Sequence, residues 1–264
     1  MTPRSPLSRW LQKCLFRAHV LKETLLYRSS PDSLSSRRDL ARLKNSLRGR
    51  RCFILGNGPS LRQTDLKLLR DEFTFGLNRV YLLFPDLGFA TTYLVAVNDL
   101  VLEQCASEIV AQPSHKFLPW GMRRSLPGGL PADLTFIQTQ GLRPGFCRDA
   151  RRSMWEGATV TFVALQLAYH IGFQEAILVG VDHSFTTQGK PHETVVSQGN
   201  DPNHFAPDYF GKGFRWQLPD LPSSERAYRL ARQAFEADGR TVLDATIGGK
   251  LTVFPKVEYE SLFP

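Results

Sequence analysis

Cysteine is scarce in this chain, and the spacing of the few cysteines excludes the sites that they usually build. The 264 residues include four, namely Cys14, Cys52, Cys105 and Cys147. None belongs to a C-x-x-C pair or lies near a pair of histidines, so the sequence predicts no zinc site. Four such widely spaced cysteines do not suggest a disulfide framework either, and we expect a protein of the reducing cytoplasm.

Long apolar runs are also missing. The longest uncharged stretch covers residues 157–174, and it contains the polar residues Thr159, Thr161, Gln166 and His170. These side chains favour a buried helix over a membrane span. Basic residues interrupt the apolar positions near the N-terminus, so we see no secretory signal.

A surplus of basic residues is confined to the start of the chain. Residues 1–51 hold 13 of the 33 Lys and Arg but only three acidic residues, a net charge of +10, whereas residues 52–264 carry −2. A nucleic-acid-binding domain needs a basic face. The sequence therefore indicates no nucleic-acid partner.

Apolar residues near the N-terminus recur at intervals of three and four, as on one face of an amphipathic helix. The repeat consists of Leu7, Trp10, Leu11, Cys14, Leu15, Ala18, Leu21 and Leu25. We favour packing of this helix on the core, but its basic faces are also compatible with peripheral contact to the inner face of a membrane through residues 7–25. A second short basic helix is predicted at residues 37–47, so residues 1–49 form a basic helical extension.

Short apolar runs alternate with helix-like stretches in the remaining residues, 50–264. This alternation predicts an α/β domain with a Rossmann-like, doubly wound and mainly parallel sheet. Residues 183–221 interrupt the pattern with a long polar segment that is rich in aromatic residues. A segment of this length in a compact domain is more often a lid or a substrate-binding insertion than a connector. We call residues 183–221 the insertion.

Polar residues end four of the predicted strands. They are Gly56-Asn57-Gly58-Pro59-Ser60 (the glycine loop), Asn78, Asn98 with Asp99, and Asp182. Each could form a turn or cap a helix. In open α/β sheets, however, ligands bind beyond the carboxyl ends of the strands, and the recurrence of polar ends predicts a small-molecule site there.

The glycine loop is unlike the two common nucleotide-binding fingerprints. Leu61 replaces the third glycine of G-x-G-x-x-G, Asn78 stands where a ribose-binding acid is expected, and the Gly-Lys-Ser/Thr ending of a Walker A loop is absent. The backbone amides of the loop are nevertheless expected to face a phosphate. Asparagine amides both donate and accept hydrogen bonds, which suits nucleobase edges and ribose hydroxyls.

The insertion carries the candidate catalytic residues. We predict that His204 is the general base, in preference to His183, which directly follows a strand end. Lys212 and Arg215 lie near aromatic residues and are expected to neutralise a departing phosphate.

The motifs resemble, in order and approximate spacing, the bacterial sialyltransferases that use CMP-sialic acid. The matching segments are residues 56–61, Asn78, Asn98, residues 159–172 and Gly180-Val181-Asp182. The same signature resembles the wider 6-hydroxymethylpterin diphosphokinase MptE-like family, which includes archaeal pterin diphosphokinases and bacterial motility accessory factors implicated in flagellin glycosylation. The resemblance covers about residues 50–185.

The resemblance implies which residues contact the nucleotide. They are Asn57, Ser60, Asn78, Asn98 and Thr159. Two family residues that help the phosphate leave are missing. Glu156-Gly157-Ala158 stands where the family has an arginine, and Ser184 replaces a tyrosine.

We therefore expect a cytoplasmic glycosyltransferase-like enzyme that moves a sugar, of the nonulosonic acid type, from a CMP-activated donor to a hydroxyl of a surface glycan or protein. No cofactor is expected. One alternative is a diphosphokinase that acts on a pterin-like alcohol with ATP, with Asp99 and Asp182 holding Mg²⁺. Another is a non-catalytic nucleotide-binding subunit of a glycan-assembly complex. The oligomeric state stays open between a monomer and a homo-oligomer.

Overall fold

Short apolar runs form the strands of a seven-stranded sheet in the computed structural model, which describes residues 14, 18, 21–126, 131–141 and 144–264. The strands of this sheet are β1 (Arg51–Leu55), β2 (Thr74–Leu77), β3 (Tyr93–Val95), β4 (His115–Pro119), β5 (Leu134–Ile137), β8 (Glu175–Val179) and β11 (Thr241–Asp244). Two small pairs of strands complete the set, β6 (Thr139–Gln140) with β7 (Met154–Trp155), and β9 (Thr194–Val196) with β10 (Arg215–Gln217).

Helices cover both faces of the sheet. They are α1 (residues 21–29), α2 (Pro31–Leu43), α3 (Phe84–Leu87), α4 (Asp99–Val110), α5 (Val160–Ile171) and α6 (Leu221–Ala237). Short 3-10 helices cover Pro59–Gln63, Leu66–Leu69, Val80–Leu83, Trp120–Arg124 and Glu260–Leu262. None of the helices within the described ranges is long and apolar enough to cross a membrane.

The direction in which successive strands are added to the sheet reverses beside β1. All seven strands are parallel and lie in the order β11, β8, β1, β2, β3, β4, β5. The sheet thus grows from β1 in one direction through β5 and then in the other direction through β8 and β11. The predicted Rossmann-like, doubly wound sheet is confirmed. A crevice is expected beyond the ends of β1 and β8, at this switch point.

Alternating side chains of the strands supply two hydrophobic cores, one on each face. Cys52 and Ile54 of β1 pack in the core that contains α5 and α6. Phe53 and Leu55 pack in the other core, with α4 and aromatic residues of the insertion. Helix α5 is buried at every position from 161 to 171, which confirms that the long uncharged stretch forms a buried helix.

Helix α2 protects the exposed edge of β5. The Phe136 amide donates a hydrogen bond to Ser36 Oγ at 2.9 Å, and the Tyr27 hydroxyl donates to the Phe136 carbonyl at 3.2 Å. An edge strand otherwise presents unpaired backbone groups that pair with other chains. Residues 21–49 are therefore attached to the sheet. Residues 7–13, 15–17 and 19–20 of the predicted amphipathic repeat lie outside the described residues.

The insertion folds over the ends of the strands and contains an antiparallel pair of strands, β9 and β10. The Phe205 amide donates to the Asn57 carbonyl at 2.9 Å, which fastens the insertion to the glycine loop. Arg62 donates to the carbonyls of His204 and Phe205 at 2.9 and 2.6 Å. The sequence pattern predicts a lid or a substrate-binding insertion, and these contacts hold the segment against the sheet.

We predict that Ser36→Ala destabilises the protein, because the buried Phe136 amide then loses its acceptor. The free energy of unfolding should fall by about 1–3 kcal/mol, the cost of an unsatisfied buried group, in urea denaturation. The control variant Ser107→Ala, on the exposed surface of α4, should change it by less than about 0.5 kcal/mol. Equal effects of the two substitutions would show that the edge contact does not stabilise the fold.

Candidate functional site

A cavity of about 330 Å³ lies beyond the carboxyl ends of the central strands. Eight of the residues predicted for the site form part of its wall, namely Gly56, Asn57, Gly58, Asn78, Asn98, Thr159, Asp182 and His204. They come from six separate segments of the chain, and the switch point beside β1 brings them together.

The glycine loop is held in place by Asp182. The Ser60 amide donates to Asp182 Oδ1 at 3.1 Å, and the Ser60 hydroxyl donates to Oδ2 at 2.7 Å. Burial raises the pKa of Asp182, and the hydrogen bonds from Ser60 partly offset this rise. Ser60 and Asp182, which are 122 positions apart in the sequence, thereby connect the ends of β1 and β8.

Two glycines permit this close approach. A Cβ atom on Gly58 would lie 1.8 Å from Asp182 Oδ2, and one on Gly56 would lie 2.3 Å from the Gly180 carbonyl oxygen. Both distances are far below van der Waals contact. The glycines of this loop are therefore required for packing against β8.

The amides of the loop are mostly occupied, in contrast to the predicted phosphate cradle. The Gly56, Gly58 and Ser60 amides donate to groups at the end of β8. Residues 59–63 form a 3-10 helix, so no α-helix N-terminus follows the loop. Pro59 and Ser60 do not contribute to the cavity wall formed by the described residues. The loop supports the site instead of binding a phosphate through its amides.

Two asparagines that line the cavity have side-chain oxygens without a hydrogen-bond partner among the described residues. Asn57 Oδ1 and Asn78 Oδ1 are buried and have no hydrogen-bond partner among the described residues. The backbone of Asn78 is left-handed, with φ of 48°, and its backbone N–H donates to the Val95 carbonyl at 2.9 Å. A buried acceptor without a partner is costly. These two oxygens fit a ligand that brings hydrogen-bond donors.

Asn98 and Thr159 cap the helices that begin at the cavity. Asn98 Oδ1 accepts from the Val101 amide at 3.1 Å and caps α4. Thr159 Oγ1 accepts from the Thr161 amide at 3.3 Å at the start of α5, and it lies 3.3 Å from the Tyr228 hydroxyl. The positive end of the α5 dipole therefore faces the cavity and favours a negatively charged group there.

His204 is oriented by a buried carboxylate. Its Nδ1 lies 2.7 Å from Asp201 Oδ2, and its ring is stacked on Tyr209 with centroids 4.1 Å apart and planes 7° apart. The Asp201 side chain is 3% exposed. This hydrogen bond places the Nδ1 proton toward Asp201, so Nε2 is the nitrogen that can accept a proton. Asp201, three residues before His204, was not predicted to have a role in the site.

The cavity wall contains two further histidines beside carboxylates. His183 Nε2 lies 3.3 Å from Glu225 Oε1, and His192 Nε2 lies 3.3 Å from Asp220 Oδ2. His183 also has a left-handed backbone, with φ of 54°. In both rings a carboxylate lies beside Nε2, so Nδ1 is the nitrogen left to accept a proton. His204 differs from them in having a carboxylate partner that is closer, at 2.7 Å, and more deeply buried.

Lys212 and Arg215 lie away from the wall. Arg215 is 2.7 Å from Glu103 on α4, and Lys212 is exposed. Among the described residues that line the cavity, none is Lys or Arg. The structure thus does not bring the two predicted phosphate-neutralising residues to the other site residues.

Acidic residues do not form a metal site in the described part of the chain. No group of three potential metal-binding side chains occurs there. Both Asp182 oxygens accept hydrogen bonds from Ser60, and Asp99 lies outside the cavity wall. The structure therefore does not bring Asp99 into the cavity wall with Asp182.

Glu156 is a half-buried carboxyl of the wall that was not predicted for the site. Burial raises its pKa, a hydrogen bond with the Thr139 side chain opposes the rise, and the charge of Asp99 adds to it. No salt bridge to Glu156 occurs among the described residues. Its charge is therefore felt by any ligand in the cavity.

The chain is similar to known proteins only in structure and at low sequence identity. No protein-family profile and no curated protein sequence matches the chain. Matching solved structures include a MAf glycosyltransferase from Magnetospirillum magneticum AMB-1, with 15% sequence identity and a TM-score of 0.49. The match covers 86% of this chain and 38% of the other, so this chain spans well under half of that protein. A likeness of this size does not assign an activity.

Proposed function

We propose that the protein is a glycosyltransferase-like enzyme that binds a nucleotide-activated sugar in the cavity at the switch point. The observation that carries this proposal is the pairing of His204 with Asp201, in the same wall as two unpaired amide oxygens. A general base beside a ligand site fits the transfer of a group to a hydroxyl.

The unpaired oxygens of Asn57 and Asn78 favour a nucleoside over an isolated phosphate. Ribose hydroxyls and exocyclic amines of bases are donors, whereas ionised phosphate oxygens accept hydrogen bonds. The positive end of α5, capped by Thr159, is the better place for the phosphate. The nucleoside would then lie near β1 and β2, and the phosphate near α5.

The chemical step that we propose is a direct displacement at the anomeric carbon. His204 Nε2 takes the proton of the acceptor hydroxyl as the acceptor oxygen forms its bond to that carbon. The bond between the anomeric carbon and the phosphate oxygen breaks, and its electron pair leaves with the nucleotide. Asp201 stabilises the imidazolium that forms.

The charges in the wall support a donor with a single phosphate. A nucleoside monophosphate leaves with less negative charge than a diphosphate, which suits a wall lined by histidines without Lys or Arg among the described residues. CMP is such a leaving group. The choice of CMP and of a nonulosonic acid rests on the resemblance of the motifs, as do the surface glycan or protein acceptor and the cytoplasmic location.

Substitutions should separate binding from chemistry. Asn57→Ala removes an acceptor that has no partner in the free protein, so the free protein should keep its stability. The Kd for CMP, measured by titration calorimetry, should rise about 5- to 150-fold, which corresponds to about 1–3 kcal/mol.

His204→Ala should leave the Kd for CMP nearly unchanged. It should lower the rate at which CMP is released from a CMP-activated nonulosonic acid by about 10² to 10⁴.

The matched control is His192→Ala, because His192 is a wall histidine whose Nε2 lies beside Asp220. CMP release should fall by less than about tenfold in this variant, well below the loss expected for a general base. If His204→Ala retains activity while His192→Ala loses it, the base is misassigned. If neither loses activity, the mechanism is wrong.

The ionisation of Glu156 should weaken the binding of an anionic nucleotide. Glu156→Gln should lower the Kd for CMP by roughly fivefold at neutral pH, on the order of 1 kcal/mol for charges several ångströms apart. Because the pKa of Glu156 is raised, the wild-type carboxyl gains a proton as the pH falls through that value. The ratio of wild-type to variant Kd should therefore approach one in acid and grow with pH.

The control is Glu236→Gln, on the surface of α6, which should give a Kd ratio near one at every pH. A ratio for Glu156→Gln that does not change with pH would contradict the repulsion between Glu156 and the nucleotide.

A further inference from the structure

A groove of about 430 Å³ lies between α2 and the segment of residues 149–152, and its residues are distinct from those of the cavity. Its wall is strongly basic. It contains Leu34, Arg37, Arg38, Arg151 and Arg152, with Asp149 as the single acidic residue. We call it the basic groove.

The acidic residue of the basic groove is already neutralised. Asp149 lies 2.6 Å from Arg151 and 2.8 Å from Lys44. The hydrogen bond from Arg151 is the main cause that holds the pKa of Asp149 well below its usual range. Asp149 therefore has little charge left to offer the other arginines.

Two of the guanidinium groups of the groove are free for an external partner. Arg38 and Arg152 are exposed, and neither guanidinium has a hydrogen bond or an ion pair among the described residues. Arg37, in contrast, donates to the Arg28 carbonyl at 2.8 Å. Unpaired guanidinium groups in a concave wall bind anions, and phosphate esters in particular.

One exposed leucine lies in the basic groove, and two more are exposed on α1. Leu34, in the groove, is 42% exposed, and Leu21 and Leu25 of α1 are 61% and 56% exposed. Helix α1 ends next to α2, and the contact between Arg37 and Arg28 joins it to the groove. Leucines next to arginines suit the interface of a bilayer, where apolar side chains enter the acyl boundary and cations contact headgroups.

We propose that the basic groove and the exposed leucines of α1 and α2 form a docking surface for an anionic phospholipid bilayer. Phosphate headgroups contact Arg38 and Arg152, and Leu21, Leu25 and Leu34 enter the interface. The residues of the groove and of the cavity do not overlap, so docking leaves the cavity accessible. The exposed leucines favour a bilayer over a soluble polyanion, which has no apolar phase to receive them.

Co-sedimentation with vesicles tests this proposal on the full chain. The protein should bind vesicles of phosphatidylcholine mixed with phosphatidylglycerol, bind phosphatidylcholine alone much less, and dissociate as salt is raised. The double variant Arg38→Glu/Arg152→Glu should weaken binding to the anionic vesicles by at least about tenfold. Leu25→Ser should weaken it by several-fold.

The control is Arg226→Glu/Arg229→Glu, which makes the same change in net charge on the exposed face of α6. It should bind like wild type, and every variant should keep the wild-type circular dichroism spectrum at the temperature of the assay. Equal losses in the two double variants would reduce the effect to net charge and overturn the proposal. A wild-type protein that does not bind the anionic vesicles would also overturn the proposal. If Leu25→Ser binds fully and inositol hexakisphosphate displaces the protein from the vesicles, the groove is a site for soluble polyanions and the proposal is wrong.

Discussion

The position of the candidate site depends on one contact, in which Asp182 at the end of β8 accepts two hydrogen bonds from Ser60. This contact closes the gap between the two strands that flank the switch point. It requires Gly58, since any side chain there would collide with the Asp182 carboxylate. Once the glycine loop is fixed, Asn57 is directed to the cavity, and its carbonyl receives the amide of Phe205 from the insertion. The same contact thus positions the glycine loop in the cavity wall and the attachment of the segment that carries the proposed base.

The insertion connects the fold to the chemistry. Its aromatic residues extend one hydrophobic core of the sheet beyond the strand ends, and the stacked ring of Tyr209 holds His204 in place. The buried carboxylate of Asp201 then selects the ring nitrogen that can accept a proton. A base held in this way needs little rearrangement before the proton is transferred, which is the advantage of a preorganised site. The unpaired oxygens of Asn57 and Asn78 remain as the acceptors that a donor substrate would satisfy.

The sequence predicted the features that depend on local pattern. Alternating apolar runs indicated the parallel sheet, the uncharged stretch indicated the buried helix α5, and the polar strand ends indicated six of the eight predicted residues that the cavity wall contains. Contacts between distant segments were not predictable in this way. Ser60 was expected to bind a ligand, but its hydroxyl donates a hydrogen bond to Asp182. Arg215 was expected to lie near a phosphate, but its guanidinium pairs with Glu103. Periodicity gives the face on which a side chain lies, but it does not identify the partner that reaches it from another part of the chain.

The central claim is that the cavity binds a nucleotide with a single phosphate, and a thermal-shift panel of CMP, CDP, UDP, GDP and ATP, each with and without Mg²⁺, tests it most directly. The account predicts that CMP raises the melting temperature without metal, with a stabilisation of about 2.7 kcal/mol at 100 times its Kd. Stabilisation by ATP alone, and only with Mg²⁺, would contradict the account and favour a diphosphokinase. A lack of response to every nucleotide would also contradict the account, because the cavity would then bind none of them.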